Sequence, residues 1–204
     1  MDKALQHLSK NDVVLKRLIE SYPAPTFERH ENYYQELVDS IIGQQLSVSA
    51  ARAIEARFKA LFDDEFPKPE QILKIDIETL RGVGFSRPKA TYVQDLAQKI
   101  LDGEVRFDSI DSLTNDEIIA ELTKVKGIGE WTVHMFLMFC MARLDILPVG
   151  DLGIRNGVTR LYGLDHQATP DDVRATSEKQ NWRPYESVAS WYVWQSLENQ
   201  PLTS

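Results

Sequence analysis

Two short stretches carry the residue types that could do chemistry. In residues 124–135, KVKGIGEWTVHM, Gly127 and Gly129 flank Ile128 just ahead of an apolar helical run. Glycine takes positive φ at no steric cost and lets a second backbone approach closely. A helix N-terminus adds N–H groups that lack intrahelical partners, together with the positive end of the helix dipole. The combination makes an anion site out of backbone alone, and Ile128 can plug into a core and hold the turn. Lys124, Lys126, Arg87 and Lys89 are candidates for a local basic patch around it. For a Gly-x-Gly taken by itself, a tight interhelical turn with no ligand is the competing reading. In the second stretch, LPVGDLGIRNG, Asp151 follows a proline-containing turn and precedes an apolar restart. An aspartate there caps a helix by default, and it follows the glycine turn at a short distance.

Composition bounds the classes these stretches can serve. The chain has 204 residues, 43% of them hydrophobic and 26% charged, which is the make-up of a globular protein with a sizeable core. Its formal net charge of −8 argues against a nonspecific nucleic-acid binder, unless the contacts are backbone dipoles and a local basic patch. The single cysteine, Cys140, excludes a disulfide framework, a cysteine zinc site and a four-cysteine iron–sulfur cluster. The four histidines lack metal-ligand spacing. The polar, charged start is not that of a signal peptide, and apolar runs stay short of the length that spans a membrane.

Helical periodicity dominates the elements that must position these residues. Tyr34, Leu37, Val38, Ile41 and Ile42 repeat at three- and four-residue steps, and Ala50, Ala53, Ile54 and Phe58 repeat the pattern, with Ser47 and Ser49 as candidate caps between them. Pro69 can open a short helix, and Gly103 ends the helix that starts near Arg87. Thr114 with Glu117 reads as a capping box, and Thr169 with Pro170 as another helix start. A last helix is expected over 185–199. Sustained strand alternation is absent, so the fold class predicted is all-α, two helical lobes around a cleft. Residues 1–30 plus 146–204 are expected to form one lobe and 31–145 the other, which ends in a helix–hairpin–helix at about 114–142. The stretches 21–27 and 145–151 are the candidate passages between lobes. LRGVGFSRPKATY (80–92) echoes the glycine hairpin, with Gly82 and Gly84 in place of Gly127 and Gly129.

Taken together, the hairpin VKGIGEWTVHMF, the LPVGDLGIRNG segment and the closing WRPYESVASWYVW resemble the helix–hairpin–helix superfamily of DNA glycosylases. Within it they resemble the alkylpurine branch, DNA-3-methyladenine glycosylase II. The resemblance runs over about residues 35–195, and the length matches a compact form without the additional N-terminal β-rich domain. It implies roles residue by residue. Asp151 falls on the catalytic aspartate. Trp131 stands where strand-nicking relatives carry a lysine nucleophile, so a Schiff base with the sugar is not expected. Trp131 and Trp194 fall on base-pocket aromatics, while Met135 replaces a third and Val133 replaces the usual hairpin alanine. Gln45 falls where related enzymes place a gap-filling glutamine. Gly84, Phe85, Ser86 and Arg87 resemble the wedge loop, with the wedging residue open among 85–87. Lys126, Gly127, Gly129 and Thr132 are the expected hairpin contacts to DNA. The main-chain carbonyls of Thr123, Val125 and Gly127 map onto a site for a monovalent cation, Na or K. No cofactor is expected for catalysis.

The chemistry that follows is excision of a damaged base. Cleaving the N-glycosidic bond leaves a sugar with oxocarbenium character, and one carboxylate can stabilise that charge or orient the attacking water. An N3- or N7-alkylated purine already carries positive charge, so it leaves readily and stacks well on aromatic walls. The base must first leave the duplex stack. The partner expected is double-stranded DNA with damaged bases, approached by a monomer without a membrane. The expected compartment is the cytoplasm with its nucleoid in a prokaryote and the nucleus in a eukaryote. Two other readings remain: a glycosylase of the same fold for deaminated or oxidised bases, prompted by Met135, and a non-catalytic helix–hairpin–helix module.

Overall fold

The computed structural model describes residues 1–63 and 65–198. Among these residues the structure is all-helical, with twelve α-helices, two short 3-10 turns and no strand. The helices are α1 (Asp2–Asn11), α2 (Val13–Ser21), α3 (Tyr33–Gly43), α4 (Val48–Lys59), α5 (Pro69–Ile72) and α6 (Ile77–Gly82). They continue with α7 (Arg87–Leu101), α8 (Asn115–Leu122), α9 (Glu130–Phe139), α10 (Leu152–Leu161), α11 (Pro170–Lys179) and α12 (Glu186–Glu198). Of the last helix expected from sequence, Asn199 lies outside the described residues, as do residues 199–204 of the expected terminal lobe. Among the described residues no helix is long and apolar enough to cross a membrane.

The chain divides into two compact units. One comprises Met1–Arg29 and the chain from Leu137 onward, and the other is His30–Phe136. The division therefore falls inside α9 rather than at 145/146, where the proline turn placed it. Packing of the helix end explains the shift. Phe139 sets its ring 5.7 Å from Phe27 and 6.2 Å from Trp194, both in the first unit.

In the first unit the terminal helices are pinned by a buried carboxylate. Asp12 caps α2, its Oδ1 accepting from the N–H groups of Val14 and Leu15. Its Oδ2 accepts from the Tyr162 hydroxyl and from Trp182 Nε1 at 2.8 Å. Only 1% of Asp12 is exposed, and a carboxylate is tolerated there because donors surround it. Burial, with Asp12 beside it, holds the Tyr162 hydroxyl far above its usual range. Leu8, Leu15, Ile154, Val158, Trp182 and Tyr192 fill the core around this anchor.

The second unit is built on α7, which packs with α3, α5 and α6. Caps set its starts. Ser47, not Ser49, accepts from Ala50 N–H at the head of α4, and Ser86 accepts from Lys89 N–H at the head of α7. The predicted capping box forms at α8, where Thr114 N–H reaches Glu117 at 2.7 Å and Glu117 N–H reaches the Thr114 hydroxyl. The Thr114 N–H, and then its hydroxyl, donate to the Glu117 carboxylate and hold that carboxyl below its usual range. The sequence echo is not a backbone repeat. In the first copy the second glycine, Gly84, takes positive φ (114°), whereas in the hairpin it is the first, Gly127 (79°).

Candidate functional site

The second unit supplies the hairpin. After α8 the chain turns through 123–129 with Val125 and Ile128 buried, and Ile128 N–H closes the turn on the Val125 carbonyl at 3.1 Å. Gly127 is required here. Beyond its positive φ, a Cβ would lie 2.1 Å from the Tyr92 ring. Nothing would obstruct a Cβ at Gly129, so that glycine is not needed for the turn's packing. The first N–H groups of α9, which include that of Thr132, lack intrahelical partners by helix geometry. Thr132 itself is 8% exposed, so its side chain is not a surface contact and only its backbone can serve an anion. His134, on the same helix, is also packed, and burial lowers its imidazole below the usual value against the pull of Glu130.

Two side chains lash this hairpin to its surroundings. Asp95 accepts from Lys126 N–H at 2.9 Å and pairs with Lys126 Nζ at 3.2 Å. Gln44 donates its side-chain amide to the Gly127 carbonyl at 2.9 Å. Lys89 then donates to the carbonyls of Ile42 and Gln44 at 2.8 and 2.6 Å. Lys89 is thus spent on carbonyls at the end of α3, a correction to its place in the basic patch, and burial lowers its ammonium below the usual range. Gln45 follows in left-handed backbone (φ 58°), exposed, with Leu46 and Val48 exposed beside it. These two apolar neighbours were not singled out from sequence.

The 84–87 loop is also corrected. Phe85 is 4% exposed and lies 5.3 Å from the Phe58 ring, so it belongs to the core and cannot wedge a duplex as it stands. Gly84 is held by its positive φ and by Arg57 and Ile54, which a Cβ would meet at 2.9 Å. Ser86 caps α7, and Arg87 pairs with Glu78 on the surface. Trp131 is 53% exposed in the first turn of α9, and Met135 is half-buried one turn later. The carbonyls of Val125 and Gly127 already accept from Ile128 N–H and Gln44, but a carbonyl oxygen has two lone pairs. Each of these two carbonyls therefore retains a second acceptor position.

The first unit supplies the carboxylate. The turn before α10 closes with Asp151 N–H on the Pro148 carbonyl at 2.9 Å. Asp151 is the N-cap of α10, and its Oδ1 accepts from Ile154 N–H at 2.8 Å. The same oxygen accepts from Trp194 Nε1, also at 2.8 Å. The cap reading and the carboxylate reading of Asp151 are therefore compatible. Trp194 comes this close because α10 and α12 are neighbours with glycine at the contact. A Cβ on Gly153 would meet Asp151 Oδ1 and the Trp194 ring at 3.0 Å, and one on Gly157 would meet Val193 Cγ1 at 2.3 Å. Gly153 and Gly157 were missed from sequence, although their four-residue spacing on one helix face was a usable signal. Phe139 was missed too.

These features match known proteins. Residues 38–184 match the family model described as HhH-GPD superfamily base excision DNA repair protein. DNA-3-methyladenine glycosylase 1 of Schizosaccharomyces pombe is 36% identical over 96% of this chain and 87% of its own length. A putative DNA-3-methyladenine glycosylase of Bacillus subtilis is 32% identical over 97% of this chain and 70% of its own. Among solved structures, the S. pombe 3-methyladenine DNA glycosylase in complex with abasic DNA superposes with a TM-score of 0.80 at 37% identity, covering 95% of this chain and 96% of that one. A DNA-3-methyladenine glycosidase of Bacillus halodurans gives a TM-score of 0.86 at 34% identity, over 96% and 89%. With the hairpin, the capped aspartate and the closing helix in place, the chain belongs to the HhH-GPD superfamily of base excision DNA repair proteins.

Proposed function

We propose that the chain is a monofunctional DNA glycosylase that flips alkylated purines, of the 3-methyladenine and 7-methylguanine type, out of double-stranded DNA and hydrolyses their N-glycosidic bond. The observation that carries this reading is the Asp151 carboxylate, held at the head of α10 by two N–H donors on one oxygen. Relatives named for 3-methyladenine, one of them bound to abasic DNA, the product of base removal, support the substrate class. A carboxylate held in place before the reaction stabilises the positive charge that develops on the sugar, without reorganising, and orients the water that completes hydrolysis. A cationic alkylpurine leaves without needing a strong acid. Trp131, with tryptophan rather than lysine at this position, offers a stacking face and no amine, so the sugar is not captured as a Schiff base.

DNA is gripped through the backbone of the hairpin, at Gly127, Gly129 and the N–H groups that open α9. A Na or K ion on the carbonyls of Thr123, Val125 and Gly127 would add positive charge there, beside Lys126. Gln45, on its exposed left-handed turn, fills the space left by the flipped base, and Ser86 and Arg87 present the other exposed loop. The protein acts as a monomer in a DNA-containing compartment.

The test is release of free base from methylated duplex DNA. Asparagine is as good an N-cap as aspartate, so Asp151→Asn keeps the start of α10 and removes the charge. Excision by this variant is expected to fall roughly 100-fold or more, while DNA binding persists and no borohydride-trapped adduct forms with the native chain. Undiminished release by Asp151→Asn sinks the role of Asp151. Release of deaminated or oxidised bases in preference to methylated ones sinks the substrate class.

A further inference from the structure

We propose that Trp194 is a positioning residue for Asp151: its indole N–H, rather than its stacking face, is its contribution to base excision. This rests on the reading of Asp151 as the catalytic carboxylate. An N-cap bond alone leaves a carboxylate free to swing about its own plane. Here Oδ1 takes Ile154 N–H and Trp194 Nε1 together, each at 2.8 Å, and donors from two directions fix both the plane and the reach of the group.

The indole is itself held. Its centroid lies 6.2 Å from that of Phe139 at an interplanar angle of 32°, and Phe139 in turn stacks on Phe27. Gly153 has no side chain where a Cβ would lie 3.0 Å from indole Cδ1 and Nε1. One helical turn on, Gly157 lets Val193 in, so the two glycines together set the spacing of α10 and α12 that delivers the N–H. A group needed only for its aromatic face would not require its edge to be steered onto a carboxylate oxygen. Electrostatic stabilisation of a developing cation depends on a charge fixed in advance, and this arrangement fixes it.

The decisive variant is Trp194→benzothienylalanine, introduced at that single position of the full chain. It keeps the bicyclic ring and its stacking face and replaces N–H with sulfur. Single-turnover excision at saturating enzyme is expected to fall roughly 10- to 100-fold, as loss of one charge-assisted hydrogen bond implies. Affinity for an abasic-site duplex is expected to be unchanged. Trp194→Phe, which also lacks the N–H, is expected to show the same split and serves if the analogue does not fold. Thermal melting reports folding in each case. Full rate at saturation overturns the proposal, as does a loss confined to DNA or substrate affinity, which marks a stacking wall. Asp151→Asn runs in parallel. Activity in that variant removes the catalytic reading of Asp151, whereas an inactive Asp151→Asn beside a fully active benzothienylalanine variant removes only the role of Trp194.

Discussion

Individual carboxylates in this chain meet different surroundings, and Asp39 on α3 shows the cost of poor ones. One of its oxygens is buried without a hydrogen-bond partner. Burial, and then the charge of Glu55, push its carboxyl from 3.8 up to about 6 against the opposing pull of Lys59. A group whose folded value is raised contributes stability that is full below its unfolded value and is lost as pH rises through the folded one. Asp39 therefore weakens the fold above about pH 6 and ceases to do so near pH 4. Asp39→Asn is expected to stabilise the protein by about 1 kcal/mol at pH 7.5, the shift being discounted for solvent screening of a partly exposed group, seen as a higher melting temperature, with the gain fading towards pH 4. A gain that is the same at both pH values contradicts this origin. Asp151 contrasts with it, being satisfied by two N–H donors. The two differ in legibility as well. The proline turn and apolar restart that bracket Asp151 made its place as a cap legible, while its catalytic role followed only from the family resemblance. Its bond to Trp194 spans a tertiary contact that no local pattern encodes, and so Trp194 read as a pocket aromatic.

At the scale of elements, helix starts were legible because caps are local chemistry. Thr114, Thr169 and Ser47 each bond the backbone three residues on. Helix spacing was not legible, because it depends on which faces meet. Gly157 makes the point. It lies inside α10, where a Cβ would come within 2.3 Å of Val193 Cγ1 and 3.4 Å of the Val193 carbonyl oxygen. Gly157→Ala is therefore expected to push the helices apart and cost about 1–3 kcal/mol, as overpacking does. It should also slow excision, because Trp194 moves with α12. Val193→Ala removes the methyl in the way. The double variant Gly157→Ala/Val193→Ala is expected to be more stable than the sum of the single effects, by coupling between touching residues. Additive melting data from the four proteins would show that the contact does not set the spacing. The same logic explains Phe85, which the resemblance placed in a wedge loop and which packs on Phe58 instead.

For the whole molecule, the net charge of −8 was legible from composition, but not how an acidic chain meets a polyanion. The arrangement of its cations gives the answer. Lys126 pairs with Asp95, Arg81 and Arg87 both pair with Glu78, and Lys89 is spent on backbone carbonyls. The local basic patch is largely neutralised by its own neighbours; on the function proposed above, the backbone N–H groups of the hairpin would then be the main phosphate grip. Such dipoles carry no net charge and release few counterions from DNA. Affinity should therefore depend weakly on salt, with a log–log slope of about −2 to −3, corresponding to two or three neutralised phosphates. The measurement is affinity for an abasic-site duplex titrated across KCl concentrations at constant pH. Glu78→Gln, which releases Arg81 and Arg87, is expected to tighten binding at low salt and to steepen the slope by up to about one or two units. A native slope of about −5 or steeper would mean that side-chain cations carry the grip. An unchanged slope in Glu78→Gln would place those two arginines away from the DNA.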